Sequence, residues 1–230
     1  MTKELEFDKL FNEWQAEQSK NGLSKFCKDG IINEEIYSRE RIKVLILSNE
    51  ANDEKNGDNL SDRREDFRKY SSREEKDWWH GKMRQRSSEM YKLIVGAAEM
   101  SNPKAASHFA VMNLNKSGGG STTDIKKLEL YCNNYKSFIL KELEIIEPDI
   151  IIWSGCKSFD CAGIRKILGV EKEKKGANIT IKGKKVPVIR MWHFSYYQAK
   201  NKPLENYENR ITGKLMAKLK EELEAIGWEM

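Results

Sequence analysis

Polar residues gather at three places where an apolar run of the chain gives out: Asn49 to Asp53, Asn113 to Thr122, and His193 with Ser195. Their types are those of ligand-handling chemistry. A carboxylate such as Glu50 can accept a proton, an imidazole such as His193 can donate one, and the carboxamide of Asn113 offers a donor and an acceptor side by side. Gly118, Gly119 and Gly120, followed by Ser121, Thr122 and Thr123, make either a plain flexible connection or a loop whose N–H groups meet an anion. Each group has an ordinary alternative. A single histidine often serves as a structural hydrogen-bonder, Asn113 suits a turn backbone, and Glu50 could cap or hold a neighbouring loop. The adjacent Trp78 and Trp79, set among charged residues, cannot both face a core from one helix stripe, so at least one is expected to line a cleft or an interface.

Periodicity supplies the elements that must position these groups. Ile42 to Leu47, Phe109 to Met112, Ile150 to Trp153 and Val186 to Ile189 are short apolar runs of the kind buried on both faces of a parallel sheet. The apolar residues of the segment starting at Asp124 recur at helical spacing through Ile146, and Pro148 stops it. Strand, glycine loop, capped helix and strand form one βαβ unit, and in such sheets ligands sit where strands end and helices begin. Leu5, Leu10, Phe11 and Trp14 mark a first helix that fades by Asn21-Gly22, and Phe26 to Ile32 reads as a compact apolar turn. Helices are also expected around Phe67 and Tyr70, from Ser88 to Met100, and from Lys157 to Leu168. A charged turn over Glu171 to Gly176 precedes a hairpin of Ile179–Ile181 with Val186–Ile189. Asn201 and Pro203 open a last helix with Ile211, Leu215, Leu219, Leu223 and Ile226 on one stripe. The expected architecture is one α/β domain, a three-layer α/β/α sandwich with a mostly parallel four-stranded sheet. A helical extension would cover 1–40, the core 42–197 and the C-terminal helix 201–228.

The totals fit that picture. A chain of 230 residues can close one such core. The charged fraction of 33% and mean hydropathy of -0.73 describe highly charged helix surfaces. No apolar run approaches the roughly 20 residues a bilayer crossing needs, and the acidic N-terminus is no signal peptide, so no membrane contact and a cytoplasmic location are expected. Cys27, Cys132, Cys156 and Cys161 contain no Cys-x-x-Cys pair, and buried free thiols are the expected state. The net charge of +5 is only a mild pointer to a polyanion.

Taken together, the strand ends resemble the uracil-DNA glycosylase superfamily. In that family a first strand ends in a turn such as Gly-Glu-Ala-Pro-Gly, a second within Thr-Asn-Leu-Val-Lys, a third in Gly, and a last in His-Pro-Ser. The counterparts here are Asn49-Glu50-Ala51-Asn52-Asp53, Met112-Asn113-Leu114-Asn115-Lys116, Ile150 to Gly155, and His193-Phe194-Ser195-Tyr196. The resemblance covers roughly Ile42 to Tyr197. It implies a hydrolase acting on N-glycosyl bonds that flips a uracil or another damaged base out of DNA in DNA repair. His193 would donate to the leaving base, and Glu50 would act on water. Asn113 would read the base edge, with Trp79 stacking on it and Ala51 at the turn. Lys116, Ser117, Gly118, Gly119, Ser195 and Tyr196 would meet DNA or its phosphates. No metal or other cofactor is implied, and a monomer is expected. Only Cys132 falls at a cluster-ligand position of the iron-sulfur branch, so no cluster is expected.

Asn52 and Asp53 stand where the family has Pro and Gly, Ala51 replaces a water-binding Asp, and Phe194 replaces a Pro. These departures keep a second reading open: a catalytically silent module that binds a nucleotide or nucleic acid in the same pocket.

Overall fold

The computed structural model describes residues 2–52, 62–72, 82–119, 122–173, 176–192 and 205–228. Helix α1 (Lys3–Lys20) starts at Thr2, whose hydroxyl accepts from the Leu5 N–H, and it buries Phe7, Phe11 and Trp14 along one stripe. Strand β1 (Gly30–Ile31) and helix α2 (Glu34–Arg39) follow, the helix capped by the Asn33 side chain. Strand β2 (Val44–Asn52) precedes α3 (Arg63–Ser71), α4 (Lys82–Val95) and α5 (Asn102–Ala105). Strand β3 (Ala110–Gly119) is followed by α6 (Ile125–Asn134) and α7 (Lys136–Ile146). Strand β4 (Ile150–Ser154), α8 (Cys156–Asp160) and α9 (Ala162–Leu168) come next. The chain finishes through β5 (Val170–Lys172), β6 (Ala177–Ile181), β7 (Lys184–Met191) and α10 (Glu205–Ala225).

The described strands form one sheet in the order β1-β3-β2-β4-β7-β6-β5. Its centre, β3-β2-β4-β7, is parallel, while β1, β6 and β5 each run antiparallel to their neighbour. Ile46 lies opposite Val111 on one side and Ile152 on the other, so the three runs share one register. Alternate residues serve opposite layers. Val44, Ile46, Val111 and Ile152 join Met90, Ile94, Leu219 and Leu223, whereas Leu45, Leu47, Met112 and Trp153 join Phe11, Trp14, Ile139 and Leu143. Helices therefore cover both faces, and an apolar residue is required at every position, which is why these strands read as unbroken runs. No described helix is long and apolar enough to cross a membrane.

The α/β class holds, but the sheet is mixed and seven-stranded rather than mostly parallel and four-stranded. Of the added strands, β6 contains the expected hairpin arm Ile179–Ile181 and pairs antiparallel with β7, whereas β1 and β5 are short and lie within stretches that read as turns. Strand β1 sits inside the expected apolar turn, where Gly30 takes φ +119 and a Cβ would lie 2.9 Å from the Phe7 ring. Strand β5 carries two exposed charged residues, Glu171 and Lys172, as edge strands do. Strand β3 also runs past Asn113 to Gly119, because β2 continues to Asn52 and pairs Glu50 with Asn115. The single helix expected over 124–146 breaks at Tyr135 (φ -114, ψ 21), and the one over 157–168 breaks at Cys161. The expected helix from Ser88 to Met100 is instead α4, ending at Val95, followed by the separate short α5. The expected start of the last helix at Asn201 and Pro203 lies outside the described residues.

Candidate binding site at the carboxyl edge of the sheet

Strands β2 and β3 both end in polar residues at the same edge, and the parallel register sets those residues side by side. Ser48 pairs with Asn113 on one flank and with Ser154 on the other, giving a row of three buried polar residues across β3, β2 and β4. The Ser48 hydroxyl has no hydrogen-bond partner among the described residues. One step further, the Asn115 amide reaches Glu50 Oε2 at 3.4 Å and donates to the Gly118 carbonyl at 3.2 Å. Its Oδ1 accepts from the Ser117 N–H at 2.9 Å and the Ser117 hydroxyl at 2.7 Å. This local turn folds Ser117 and Gly118 back over the strand end, with Gly118 at φ +79. A Cβ at Gly119 would collide with the Glu50 carboxyl, so any other residue there would displace that side chain from its place at the strand end.

Above this turn lies a cleft of about 620 Å³ between the ends of β2 and β3, the end of α1 and helix α6. Helix α6 enters it from Asp124, whose carboxylate accepts from the Lys126 and Lys127 N–H groups. Lys127, Leu130, Tyr131 and Asn134 line the cleft from successive turns of that helix. Leu130 is 61% exposed at the rim. Glu50 and Asp124 bring two carboxylates and Lys127 one ammonium, so the lining is not cationic. Toward β4, Asn49 donates to the Thr123 hydroxyl at 3.1 Å and its Oδ1 accepts from Ser158, tying β2 to the starts of α6 and α8. A Cβ at Gly155 would stand 2.5 Å from that oxygen.

Beneath the cleft the charge is sealed. Lys116 is fully buried between Asp29 and Glu142, in short contact with Asp29 and 3.0 Å from Glu142 Oε1. Its ammonium also lies 5.3 Å from the Trp14 ring centroid and 5.7 Å from that of Phe11. The other Asp29 oxygen accepts from the Asn113 N–H at 2.7 Å and the Asn113 side-chain amide at 3.0 Å. Burial would drain the ammonium of its proton, but two carboxylates raise its pKa nonetheless. The Glu142 carboxyl is pushed well above its ordinary value, by burial first and with Asp29 adding to it against the pull of Lys116. Burial and the Asp29 charge likewise push the Cys27 thiol up to about 12, so it is no thiolate nucleophile.

The sequence-derived site residues separate accordingly. Glu50, Ser117, Gly118 and Gly119 line the cleft, and Ala51 lies within β2 beside Glu50. Asn113 is buried with its amide on Asp29, and Lys116 turns inward with no face to solvent, so as placed it offers no phosphate contact. His193, Trp79, Ser195 and Tyr196 lie outside the described residues. Strand β7 hands the chain to Trp192, whose carbonyl is 3.5 Å from the Ser154 hydroxyl. Sequence reasoning missed Asp29, Ser48, Asn115 and the α6 stripe. Of these, the stripe 127, 130, 131, 134 had a signal, because it is a helical face that carries polar groups beside apolar ones. No family model matches the chain, and no curated protein matches it.

Proposed function

We propose that the cleft receives a nucleobase and that the protein is a DNA glycosylase-like hydrolase of N-glycosyl bonds in damaged DNA, uracil being the first substrate to test. The observation that carries this reading is the meeting of the Glu50 carboxylate and the Asn115 carboxamide at the carboxyl edge, on the rim of an open cleft of about 620 Å³. That volume lies within the range of small-molecule sites, roughly 300–1,000 Å³. In the proposed reaction, water attacks the anomeric carbon, Glu50 takes the proton, and the carbon–nitrogen bond breaks with its electron pair leaving on the base. His193 would stabilise the base anion that forms, as the resemblance implies. Asn115 serves as a further polar contact for the base edge. Lys127, Asn134 and Leu130 supply donors and an apolar rim. With two carboxylates against one ammonium, the lining suits an uncharged heterocycle better than a run of phosphates.

One observation favours the silent module instead: the Asn113 amide is already engaged by Asp29. Incubation with uracil-containing single- and double-stranded oligonucleotides, followed by alkaline scission, separates the two. The enzyme reading expects cleavage that falls about 10²–10⁴-fold in Glu50→Gln and is lost in His193→Ala. Saturable, salt-sensitive binding without cleavage supports the module. Neither cleavage nor binding overturns both.

A further inference from the structure

The cleft at the carboxyl edge has two halves. One is the strand-end turn that carries Glu50 and Asn115; the other is formed by helix α6, through Lys127, Leu130 and Asn134, and by Leu23 beyond the end of α1. Its volume of about 620 Å³ equals roughly twenty waters at ~30 Å³ each, and a single pyrimidine ring fills only a small part of that. Helix α6 buries Leu128, Tyr131 and Cys132 in the core, and the residues beside that stripe turn to the cleft. Lys127 and Asn134 are seven positions apart, so they project from nearly the same side of the helix with about 10 Å of axis between them, and Leu130 stands between the two. All three are exposed. Neither the Lys127 ammonium nor the Asn134 carboxamide has a partner among the described residues. Lys127 also lies in the first turn of the helix, where N–H groups favour negative charge, although the Asp124 carboxylate at the N-cap takes two of them. Asp124 at -1 with the exposed Lys126 and Lys127 at +1 each leaves one net positive charge at the start of α6. Behind them Tyr131 and Tyr135 form the inner wall, their hydroxyls accepting from the Lys116 N–H at 3.1 Å and the Asn21 amide at 3.2 Å.

We propose that this helix half is a subsite for the nucleotide next to the flipped one, so that the protein takes up single-stranded DNA and holds two consecutive nucleotides. The inference rests on the reading that the strand-end half receives a base. A cation, an exposed leucine and a carboxamide, in that order along the helix, match the phosphate, the ring face and the base edge in the order a nucleotide presents them. Lys127 meets the phosphodiester, and Leu130 and Leu23 cover the neighbouring ring from two walls of the cleft. Asn134 offers both a donor and an acceptor, so it can meet the edge of any base. The charge at the start of α6 suits a phosphodiester, a monoanion, better than the terminal phosphate of a free nucleotide, which carries about -1.5 to -2. A duplex could offer this second nucleotide only through a further unstacking and unpairing step, so the arrangement favours single strands.

The test is fluorescence anisotropy of the full-length protein, carrying Glu50→Gln so that the DNA stays whole, with a labelled single-stranded oligonucleotide that holds one uracil. The same oligonucleotide is also used as a duplex, and without the base of the 5′ or the 3′ neighbour. The single strand is expected to bind at least about tenfold tighter than the duplex. Removing the neighbouring base on one side only is expected to weaken binding about three- to tenfold. Leu130→Ala is expected to weaken the intact strand by a similar factor and the strand lacking that base not at all. Lys127→Gln is expected to reduce the magnitude of the slope of log K against log salt by about 0.7, the share of one phosphate on a single strand. Both side chains are exposed, so neither variant is expected to change the Tm. The subsite is overturned if the duplex binds as tightly as the single strand, or if Leu130→Ala weakens both strands alike at an unchanged Tm. It is equally overturned if Lys127→Gln leaves the salt slope as it was, or if thymidine monophosphate alone competes as well as the unlabelled oligonucleotide. The hydrolase reading fails separately: wild-type protein that leaves uracil DNA uncut yet shows these binding differences loses the catalysis and supports the subsite, whereas cutting without them overturns the subsite alone.

Discussion

Helix α7 and its C-cap carry two carboxylates in inverse settings. Glu142 shares one buried ammonium, Lys116, with a second carboxylate, Asp29. Glu147, at the left-handed C-cap of the same helix with φ 53, sits at the surface between two ammoniums, 2.8 Å from Lys3 and 2.5 Å from Lys182. Their pKa values move in opposite directions. Burial raises Glu142, whereas the hydrogen bonds from Lys182 and Lys3 hold Glu147 at about 2. The contrast separates two uses of charge. In the interior, a charge left without its counter-charge is expensive, so the cluster fixes which segments must meet. At the surface water screens each pair, and a low pKa there reports geometry more than stability.

The strongest way to break this comparison is Lys116→Met, which leaves Asp29 facing Glu142 with no cation between them. Urea unfolding is expected to show a loss of about 3–5 kcal/mol; a change no larger than that of a surface pair would mean the cluster does not organise the fold. A second prediction concerns pH. The folded protein holds the Glu142 proton more tightly than the unfolded chain does. The resulting stability is present below the unfolded carboxylate value of about 4.3 and is lost as pH rises toward the folded one. Glu142→Gln lacks that loss, so the difference in unfolding free energy, variant minus wild type, is expected to increase from acid toward neutral pH. A flat difference would contradict the assignment. The smallest effect is expected at Glu147. Its pKa is depressed, so its contribution is present at neutral pH and fades as pH falls from about 5 toward about 2. Because its side chain is 41% exposed, Glu147→Gln is expected to remove no more than about 1 kcal/mol, and added salt should shrink even that.

Much of the scaffold could be read from residue order. The central runs at Ile42–Leu47, Phe109–Met112, Ile150–Trp153 and Val186–Ile189 fall in parallel neighbours, because a strand buried on both faces cannot be written with polar residues. The gathering of polar groups at strand ends was also legible, and the carboxyl-edge cleft with Glu50 and Ser117 to Gly119 lies there. Lys116 was misleading. It follows Asn115 and precedes Ser117 and a glycine loop, the place of an exposed ligand contact, yet its partner Asp29 lies 87 residues away, just before a two-residue edge strand. Nothing local distinguishes a lysine that turns inward. The breaks at Tyr135 and Cys161 were hidden for a related reason, since helical spacing continues across them.

What the sequence determined alone is the α/β class, the four central strands and the edge where polar groups collect, all consequences of local periodicity and of which side chains tolerate burial. Only the tertiary structure decided that Asn113 and Lys116 serve Asp29 and that Asn115 meets Glu50 over an open cleft. Those pairings depend on distances between residues remote in the chain, and the free energy of a charge or amide is set by what surrounds it after folding, not by its neighbours in sequence.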